Sequence, residues 1–447
     1  ISANLSAIFY LVSGILFILA LRGLSSPDTS RQGNYFGIAG TNQSYLEVSN
    51  FPPIDLGRRL DYLLAYPHGC IEQTTSSVFP QLYLAELVEL DPQKQAGIQA
   101  NVNAGIERIK LFQTSNGGFS YWPGGSYDNE WGTNYAGHFL VEAEKKGYSV
   151  PSSLKTKWLK YQKRQARNWS KANATTDKAR YDDLTQAYRL FTLALAGKAE
   201  LGLMNRLRER TDLSIPAKWR LAAAYKLAGQ QEAALSLIQG TSTSVPEYQE
   251  LSYTYGSNSR DEAMILETLV LLDRKVEGAE LAKTIANRLN KNSWMSTQTT
   301  AYALIAMSKF VGVNSTDKTM NFTYVLNGGA TNSKNTQAPI FTDKLDVNTE
   351  ESVLKVKNLG SGLLYAKLVV EGIPVSGAEK AVASNMSVSV NYIDMDGHAI
   401  DPTVLEQGTD FVAEVKVTNP GTRGYLREMT LNQIFPSGWE IHNTRMQ

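Results

Sequence analysis

The chain has 447 residues and is nearly neutral, with 44 lysines and arginines against 43 aspartates and glutamates. This balance, together with a sequence that contains no dense basic stripe, excludes the electrostatic attraction that nucleic-acid binding requires. Hydrophobic residues make up 43% and aromatic residues 10% of the composition, which is sufficient for folded cores, and the length predicts more than one domain.

The first element is a nearly unbroken apolar run over residues 7–21. Its length is borderline for a membrane helix, and it lacks the basic start and the small-residue cleavage site of a secretory signal. We predict an apolar N-terminal helix in residues 1–33, which offers a membrane anchor. Residues 2–40 also resemble the N-terminus of the β subunit of bacterial NAD(P) transhydrogenases, notably at Leu21–Pro27 and Phe36–Gly40. Residues 1–33 are therefore either a native anchor or a foreign segment.

A strand is predicted over Tyr45–Ile54, because prolines end an extended run there. Helical periodicity then dominates from Leu56 to Phe310, in segments separated by polar or glycine-containing breaks. About twelve consecutive helices in hairpins would bury their apolar faces against one another, which predicts an α/α toroid or solenoid. The predicted helices are Gly57–Ala65, Gln73–Leu90, Ile98–Gln113, Tyr135–Lys146, Ser153–Asn168, Leu184–Ala196, Ala199–Arg208, Pro216–Ala228, Gln231–Ile238, Arg260–Leu272, Val276–Leu289 and Ser296–Phe310.

After Phe310 the apolar residues alternate, which predicts strands separated by glycine, asparagine, aspartate and proline turns, as in a β-sandwich. A break at Ile373–Gly377 divides this region into two modules, and the first is expected to include the strand that precedes the helices. The predicted strands are Phe322–Leu326, Ile340–Thr342, Ser352–Val356, Leu363–Val370, Met386–Tyr392, Asp410–Val417 and Met429–Phe435.

Cys70 is the only cysteine, so it has no partner for an intrachain disulfide. If a helix begins at Cys70, its side chain and that of Gln73 share one face of the first turn. Attack of the thiolate on the Gln73 carboxamide would expel ammonia and leave an internal thioester, which persists only where water is kept out. Amides at the helix N-terminus would lower the pKa of the thiol. The alternative is an inert buried cysteine.

At these residues the chain resembles the α2-macroglobulin and complement thioester proteins, whose signature is Pro-x-Gly-Cys-x-Glu-Gln. The resemblance implies that Cys70 and Gln73 form the thioester. Ile71 replaces the glycine that is usual in animal members and is typical of bacterial ones. The family traps proteases covalently: a protease cuts a bait segment, and the exposed thioester captures an amine such as a surface lysine. The supporting motif residues are Pro67, Gly69, Ile71 and Glu72.

The same resemblance implies a multidomain α and β fold. An α/α toroid of about six helical hairpins (residues 56–312) would be inserted in a CUB-like β-sandwich (34–55 plus 313–375). A partial, truncated macroglobulin-like β-sandwich (376–447) would follow. We expect a C-terminal fragment of a bacterial, membrane-associated protein of the periplasm or cell surface. We expect no cofactor besides the thioester, and no metal.

A glycine-rich, aromatic loop at Gln113–Gly125 joins two predicted helices. No Lys-Ser or Lys-Thr follows the glycines, which argues against a nucleotide site. We expect Phe119 and Trp122 to fill the gap between hairpins. The resemblance places this loop and the following stretch near the reactive bond, where Trp122, Trp131 and Tyr135 would act as a shield or scaffold.

Two histidines are candidates for chemistry. His68 precedes Cys70 by two residues and would pair with it in a cysteine hydrolase, although we expect a structural role. His138 lies on an apolar helix face, which is typical of a core histidine. Some complement proteins use a distant histidine to redirect the thioester to hydroxyls. The corresponding stretch, Tyr181–Leu184, contains none, which predicts direct transfer to amines.

Two further functional classes stay open. α/α toroids also host cyclases and glycoside hydrolases, and Asp182 and Asp183 would serve such an enzyme as general acid and base. The Asp-x-Asp-Asp acid motif of cyclases is absent from the sequence, and adjacent aspartates at a helix start are more often a cap and dipole pair. An adhesin that attaches to a host amine through the thioester is the other alternative.

Overall fold

The computed structural model describes residues 43–56, 67–170, 182–250, 252–291, 294–314, 319–345, 353–360, 363–371, 383, 385–421, 429, 431–436 and 438–441. The predicted apolar helix in residues 1–33, the predicted helix Gly57–Ala65 and the break at Ile373–Gly377 lie outside these ranges. Within the ranges, no helix is both long and apolar enough to span a bilayer.

The described part of the central region is helical, as the periodicity predicts. Its helices are α1 (Ile71–Val78), α2 (Pro92–Lys110), α3 (Glu130–Lys145), α4 (Ser152–Asn168), α5 (Asp182–Leu195), α6 (Leu201–Arg208), α7 (Ile215–Leu227), α8 (Gln231–Ile238), α9 (Asn258–Leu271), α10 (Lys275–Leu289) and α11 (Thr297–Asn314). Most of the predicted bounds lie within a few residues of these.

The predicted helix Gln73–Leu90 is wrong as a single element. Helix α1 ends at Val78, and a 3₁₀ helix follows over Pro80–Glu86. Pro80 has no backbone N–H, and its ring would clash with the carbonyl four residues earlier if the α-helix continued. The proline therefore divides the predicted helix into two shorter elements.

Odd-numbered helices form a closed inner ring. Contacts run from α1 to α3, α5, α7, α9 and α11, and α11 returns to α1. Helix α5 is buried at every position, as expected for a helix enclosed by neighbours. The even-numbered helices pack outside: α4 buries one stripe, Leu154, Trp158 and Tyr161, and leaves its other faces to solvent. This arrangement is an α/α toroid of helical hairpins.

Strands precede and follow the toroid. They are β1 (Gln43–Ser49), β2 (Met320–Leu326), β3 (Asn332–Thr336), β4 (Ile340–Leu345), β5 (Leu354–Asn358), β6 (Tyr365–Glu371), β7 (Ser387–Ile393) and β8 (Val412–Thr418). Within the described residues these strands form three sheets, with strand orders β4-β1-β6, β3-β2-β5 and β7-β8.

The toroid is inserted between paired strands. Strand β1, before the helices, pairs antiparallel with β4, after them, in a register that joins Ser44 to Leu345. Leu46 and Val48 of β1 share a buried cluster with Phe322 and Tyr324 of β2, so two sheets pack face to face. The predicted fold class, a helical toroid inserted in a β-sandwich and followed by further strands, is confirmed.

The chain divides into two compact units, with the boundary after Val369. The first comprises Ser44–Val369, and the second contains the described residues that follow, including the β7-β8 pair. The predicted boundaries at residues 34–55, 56–312, 313–375 and 376–447 stay predictions.

The predicted strands differ from the structure in two places. Strand β3 (Asn332–Thr336) was not predicted, because its sequence, Asn-Ser-Lys-Asn-Thr, has no apolar alternation. The predicted strand Met429–Phe435 is wrong for its described residues, which form no strand. Ile434 is 97% exposed and Leu431 is 55% exposed, so an alternating apolar pattern is present without a surface to bury it.

Candidate functional site

The Cys70 motif begins with a tight turn. Gly69 has φ +79°, a left-handed conformation that glycine adopts readily, and Cys70 follows with φ −74° and ψ 176° as the N-cap of α1. The helix therefore begins one residue after the cysteine. Cys70 and Gln73 occupy the N-cap and the third helical position, which places both at the same turn.

The Gln73 carboxamide folds back over the turn. Its Oε1 accepts a hydrogen bond from the backbone N–H of Cys70 at 3.2 Å. A Cβ atom added at Gly69 would lie 2.1 Å from that oxygen, so only glycine leaves the space that the carboxamide occupies. The predicted proximity of residues 70 and 73 is therefore present in the fold.

The two groups differ in exposure. Cys70 is 2% exposed, whereas the Gln73 side chain lies at the surface. The expectation that the whole site is shielded from solvent is therefore wrong for the described residues. The described residues therefore cover the sulfur more completely than they cover Gln73.

The expectation of a lowered cysteine pKa is also wrong. Burial raises the pKa of the Cys70 thiol, and this outweighs the hydrogen bonds from Tyr121 and from the backbone of Gln73 and Glu72, which lower it. The helix amides act in the predicted direction, but burial of the sulfur dominates. A free Cys70 is therefore a neutral thiol near neutral pH.

Arg108 holds the turn from the neighbouring helix α2. Its Nη2 donates to the carbonyl of Gly69 at 2.9 Å, and its Nε donates to Thr74 Oγ1 at 3.2 Å. The Thr74 hydroxyl in turn donates to the carbonyl of His68 at 3.2 Å. Sequence reasoning missed Arg108, because nothing in a lone arginine 39 residues from Gly69 indicates this contact.

Glu72 closes the ring of helices. Its Oε1 accepts hydrogen bonds from Ser76 at 2.7 Å and from Thr297 of α11 at 2.8 Å. Ser76 also lies 3.2 Å from the hydroxyl of Tyr135 on α3. Glu72 and Ser76 of α1 thus link α1 to α11 and to α3, two residues along the chain from Cys70. Burial raises the pKa of Glu72 above its ordinary 4.5, although both hydroxyls lower it.

Replacing Glu72 by glutamine should change how stability depends on pH. The raised pKa means that the folded chain binds this proton more tightly than the unfolded chain does. The contribution of Glu72 to the free energy of unfolding is therefore complete below pH 4.5 and is lost as pH rises through the folded pKa. E72Q keeps an oxygen acceptor and cannot ionise. We expect the free energies of unfolding of wild type and E72Q to differ by less than about 1 kcal/mol at pH 4. As pH rises, E72Q should become more stable relative to wild type. Urea unfolding across a pH series measures this, and parallel curves would contradict it.

The predicted shield or scaffold residues separate into two groups. Trp131 is 2% exposed, donates to Gln298 Oε1 at 3.2 Å, and carries the Arg260 guanidinium 4.2 Å above its ring. Tyr135 is fully buried and stacks on Tyr302. Both are core residues of the inner ring, which fits a scaffold.

The aromatic loop differs from its prediction at one position. Phe119 is fully buried, as expected, but Trp122 is 56% exposed and does not fill the gap between hairpins. Its ring lies edge-on to Tyr121 at 5.5 Å. Tyr121, which the sequence did not single out, lies beside the Cys70 turn, because its backbone carbonyl accepts a hydrogen bond from the N–H of Ile71 at 3.0 Å.

The structure does not favour a cysteine hydrolase or an acid–base enzyme. His68 is exposed while Cys70 is buried, which does not favour a cysteine–histidine pair. Asp183 accepts hydrogen bonds from its neighbour Leu184 at 2.7 Å and from the N–H of Ser214 at 2.6 Å. It therefore joins the starts of α5 and α7, as expected of a structural cap and not of a catalytic acid.

His138 lies in a buried polar cluster at the centre of the ring. Its Nδ1 is 3.0 Å from the Tyr188 hydroxyl, and its Nε2 lies 3.7 Å from carboxylate oxygens of Glu142 and Glu267. Burial lowers the pKa of His138. Its Nε2 has no hydrogen-bond partner among the described residues. The prediction of a core histidine with its hydrogen bonds satisfied therefore holds for Nδ1 only.

This cluster has the ligand types of a metal site, but an ammonium group already lies there. Lys309 Nζ is 3.1 Å from Glu142 Oε1 and 2.7 Å from Glu267 Oε1. A second group, Asp394, Asp396 and His398, lies mostly at the surface. The expectations of no metal and no cofactor stay predictions.

Comparisons with known proteins agree with the resemblance to the α2-macroglobulin family. Residues 48–196 match the family model of the A-macroglobulin TED domain. The alpha-2-macroglobulin of Escherichia coli K12 is 27% identical over 428 residues, which cover 91% of this chain and 24% of that protein. The resemblance to bacterial alpha-2-macroglobulins is confirmed. The chain spans about a quarter of the length of these curated relatives.

Two solved alpha-2-macroglobulin structures are similar to the chain. Salmonella alpha-2-macroglobulin reacted with methylamine has 27% identity and a TM-score of 0.67, with 85% of this chain and 25% of that chain covered. Trypsin-activated alpha-2-macroglobulin from E. coli has 26% identity and a TM-score of 0.51, with 85% and 26% covered. The second predicted resemblance also returns a match: 37 residues are 54% identical to NAD(P) transhydrogenase subunit beta of Rhodospirillum rubrum.

Proposed function

We propose that the chain is part of an alpha-2-macroglobulin-like, broad-range protease inhibitor that acts through an internal thioester between Cys70 and Gln73. The main support for the proposal is the position of the Gln73 carboxamide, whose Oε1 lies 3.2 Å from the Cys70 backbone nitrogen. This contact brings the acyl carbon next to the residue that bears the only thiol in the chain. The inhibitor is consumed in one event and is not a turnover enzyme.

The chemistry has two steps. In the first, the Cys70 sulfur adds to the Gln73 carboxamide carbon, the thiol proton passes to the amide nitrogen, the C–N bond breaks, and ammonia leaves. In the second, a neutral amine attacks the thioester carbon, the C–S bond breaks, and the electron pair goes to sulfur. The proton lost by the amine nitrogen balances the one that the sulfur takes up, and residue 73 becomes a substituted amide.

The backbone assists both steps. Each addition places negative charge on the oxygen of residue 73, and the N–H of Cys70 already donates to that oxygen. A preorganised donor aimed at a developing oxyanion is among the strongest devices available to a site. The burial of Cys70 protects the sulfur from other electrophiles.

The relatives indicate which nucleophile and which partner to test. One similar protein was crystallised after reaction with methylamine, a small amine, and another after activation by trypsin, a protease. We propose that this chain likewise acts on proteases after bait cleavage in the longer protein, and prefers amines over hydroxyls. We place it in the periplasm or at the cell surface, with membrane association through an N-terminal segment.

Intact-mass measurement of the purified chain tests the proposal. We expect a deficit of one ammonia relative to the translated mass, and then a gain of one methylamine at Gln73 after treatment, with release of one thiol. Q73A should abolish all three signals. Q95A removes a surface carboxamide from α2 and should change none of them. A freely alkylatable thiol in the untreated protein, at the full translated mass, would overturn the proposal.

A further inference from the structure

The side of Cys70 that faces the aromatic loop contains a pair of tyrosines. The Tyr121 ring stacks on the Tyr255 ring, with centroids 5.7 Å apart and planes inclined by 17°. The Tyr121 hydroxyl faces the Cys70 thiol and the Tyr255 hydroxyl, and its interaction with the thiol lowers the pKa of Cys70. A continuous line of groups thus runs from Tyr255 through Tyr121 to the sulfur.

Both tyrosines are held by backbone contacts. The carbonyl of Tyr121 accepts the hydrogen bond from Ile71 N at 3.0 Å, which fixes the loop to the first residue of α1. Tyr255 has φ 53°, an uncommon conformation for a bulky residue, in a short hairpin where Glu250 N donates to the Gly256 carbonyl at 2.9 Å. Strained backbone of this kind persists where surrounding structure imposes it and is concentrated at functional sites.

A hydrogen bond to the sulfur acts differently in the two states of the reaction. An acylated sulfur is a weak acceptor, whereas the sulfur that leaves during aminolysis becomes a thiolate and accepts strongly. Burial makes a thiolate at this position unfavourable, so the departing sulfur needs a donor. An interaction that strengthens as the C–S bond breaks accelerates the step.

We propose that Tyr121 is a positioning and leaving-group residue of the thioester, that its hydroxyl donates a hydrogen bond to the departing Cys70 sulfur, and that Tyr255 orients it. This inference rests on the proposed thioester function. Burial and the neighbouring Cys70 and Tyr255 raise the pKa of Tyr121, so the tyrosine stays protonated and keeps a proton to donate. The proton that finally neutralises the thiolate comes from the attacking amine.

The test uses the full chain with Tyr121→Phe, which removes the hydroxyl and keeps the ring. We expect the rate constant for thiol release by excess methylamine to fall about tenfold, the effect of losing one hydrogen bond to a charged group. Y255F should give a smaller decrease, because it removes only the orienting contact. Y127F changes a tyrosine that follows this loop by two residues and is 90% exposed, and it should match wild type.

A second measurement separates the hydrogen bond from a packing effect. After methylamine treatment, the pH dependence of Cys70 alkylation reports the thiol pKa, which should rise in Y121F and stay unchanged in Y127F. Unchanged rate and unchanged thiol pKa in Y121F would overturn the inference. Faster thiol release in Y121F would also overturn it, because Tyr121 would then act as a cover and not as a donor.

The two proposals fail in distinguishable ways. If wild type shows no ammonia deficit, the thioester function fails, and the alkylation profile of the free thiol still reports whether Tyr121 donates to the sulfur. If the deficit is present and neither the rate nor the pKa responds to Y121F, the thioester stands and the role of Tyr121 is refuted.

Discussion

Gly69→Ala should abolish most thioester formation. A Cβ atom at this position would lie 2.1 Å from Gln73 Oε1 and 3.0 Å from the carboxamide carbon, so the side chain that supplies the acyl group must leave its place. Reactions that depend on a near-attack geometry lose about a hundredfold for a displacement of roughly 1 Å. We therefore expect at least this reduction in the rate of ammonia loss and in methylamine incorporation, measured by intact mass.

Gly229→Ala is the matched control. Gly229 has φ +77°, close to the +79° of Gly69, and no atom lies within 4 Å of a Cβ added there. Both variants therefore incur the same backbone cost of about 1 kcal/mol for alanine in a left-handed conformation, and only one displaces Gln73. Wild-type methylamine incorporation in G69A would show that the glycine serves the turn alone.

The same residues show why a sequence predicts part of this site. Cys70 and Gln73 are three positions apart, and helical geometry alone places such side chains together. Arg108, Tyr121 and Tyr255 reach the same turn from three other elements, and their positions depend on how helices and loops pack. No local pattern encodes those contacts, so they were found only in the structure.

The direction of the Cys70 pKa illustrates a second limit. Sequence reasoning recognised the helix amides, which favour the thiolate, but it had no measure of burial. In the fold the sulfur is 2% exposed, and desolvation outweighs the hydrogen bonds. The sign of a pKa shift depends on the larger of two opposing effects, and the larger one here is tertiary.

The prediction of secondary structure likewise succeeded where the signal is local and failed where it depends on tertiary contacts. Amphipathic helices such as α8 (Gln231–Ile238) were predicted at their observed bounds, because periodicity and breaks between helices are local. The polar strand β3 was missed and the strand Met429–Phe435 was wrongly predicted. A helix forms its hydrogen bonds within one segment, so its own sequence largely determines whether it forms. A strand needs a neighbouring strand to supply its hydrogen bonds, so its existence depends on residues far away in the sequence.

Lys309→Met should strongly destabilise the toroid. The ammonium neutralises Glu142 and Glu267 from helix α11, and its side chain is only 17% exposed. Burial raises the pKa of Glu267, but the charges of Lys309 and Arg220 outweigh it and hold that pKa well below the ordinary value. The same competition, with Lys309 as the main charge, lowers the pKa of Glu142.

Removing the lysine leaves these carboxylates buried beside a neutral His138, and breaking a buried pair in this way costs about 3–5 kcal/mol of unfolding free energy. Lys146→Met is the control: its ammonium also lies over the Tyr83 ring, at 4.9 Å against 5.0 Å for Lys309, but its partner Glu86 is at the surface. We expect K146M to change stability by less than about 1 kcal/mol.

The pH dependence identifies charge as the cause of the K309M effect. Because the folded pKa values of Glu142 and Glu267 are lowered, their contribution is present above the ordinary carboxyl pKa of 4.5 and is lost as pH falls through the folded values. In K309M the carboxyl groups take up protons more readily. The difference in unfolding free energy from wild type should therefore be largest near neutral pH and narrow below pH 4.5. A difference that stays constant across this range would assign the effect to lost packing of the lysine side chain.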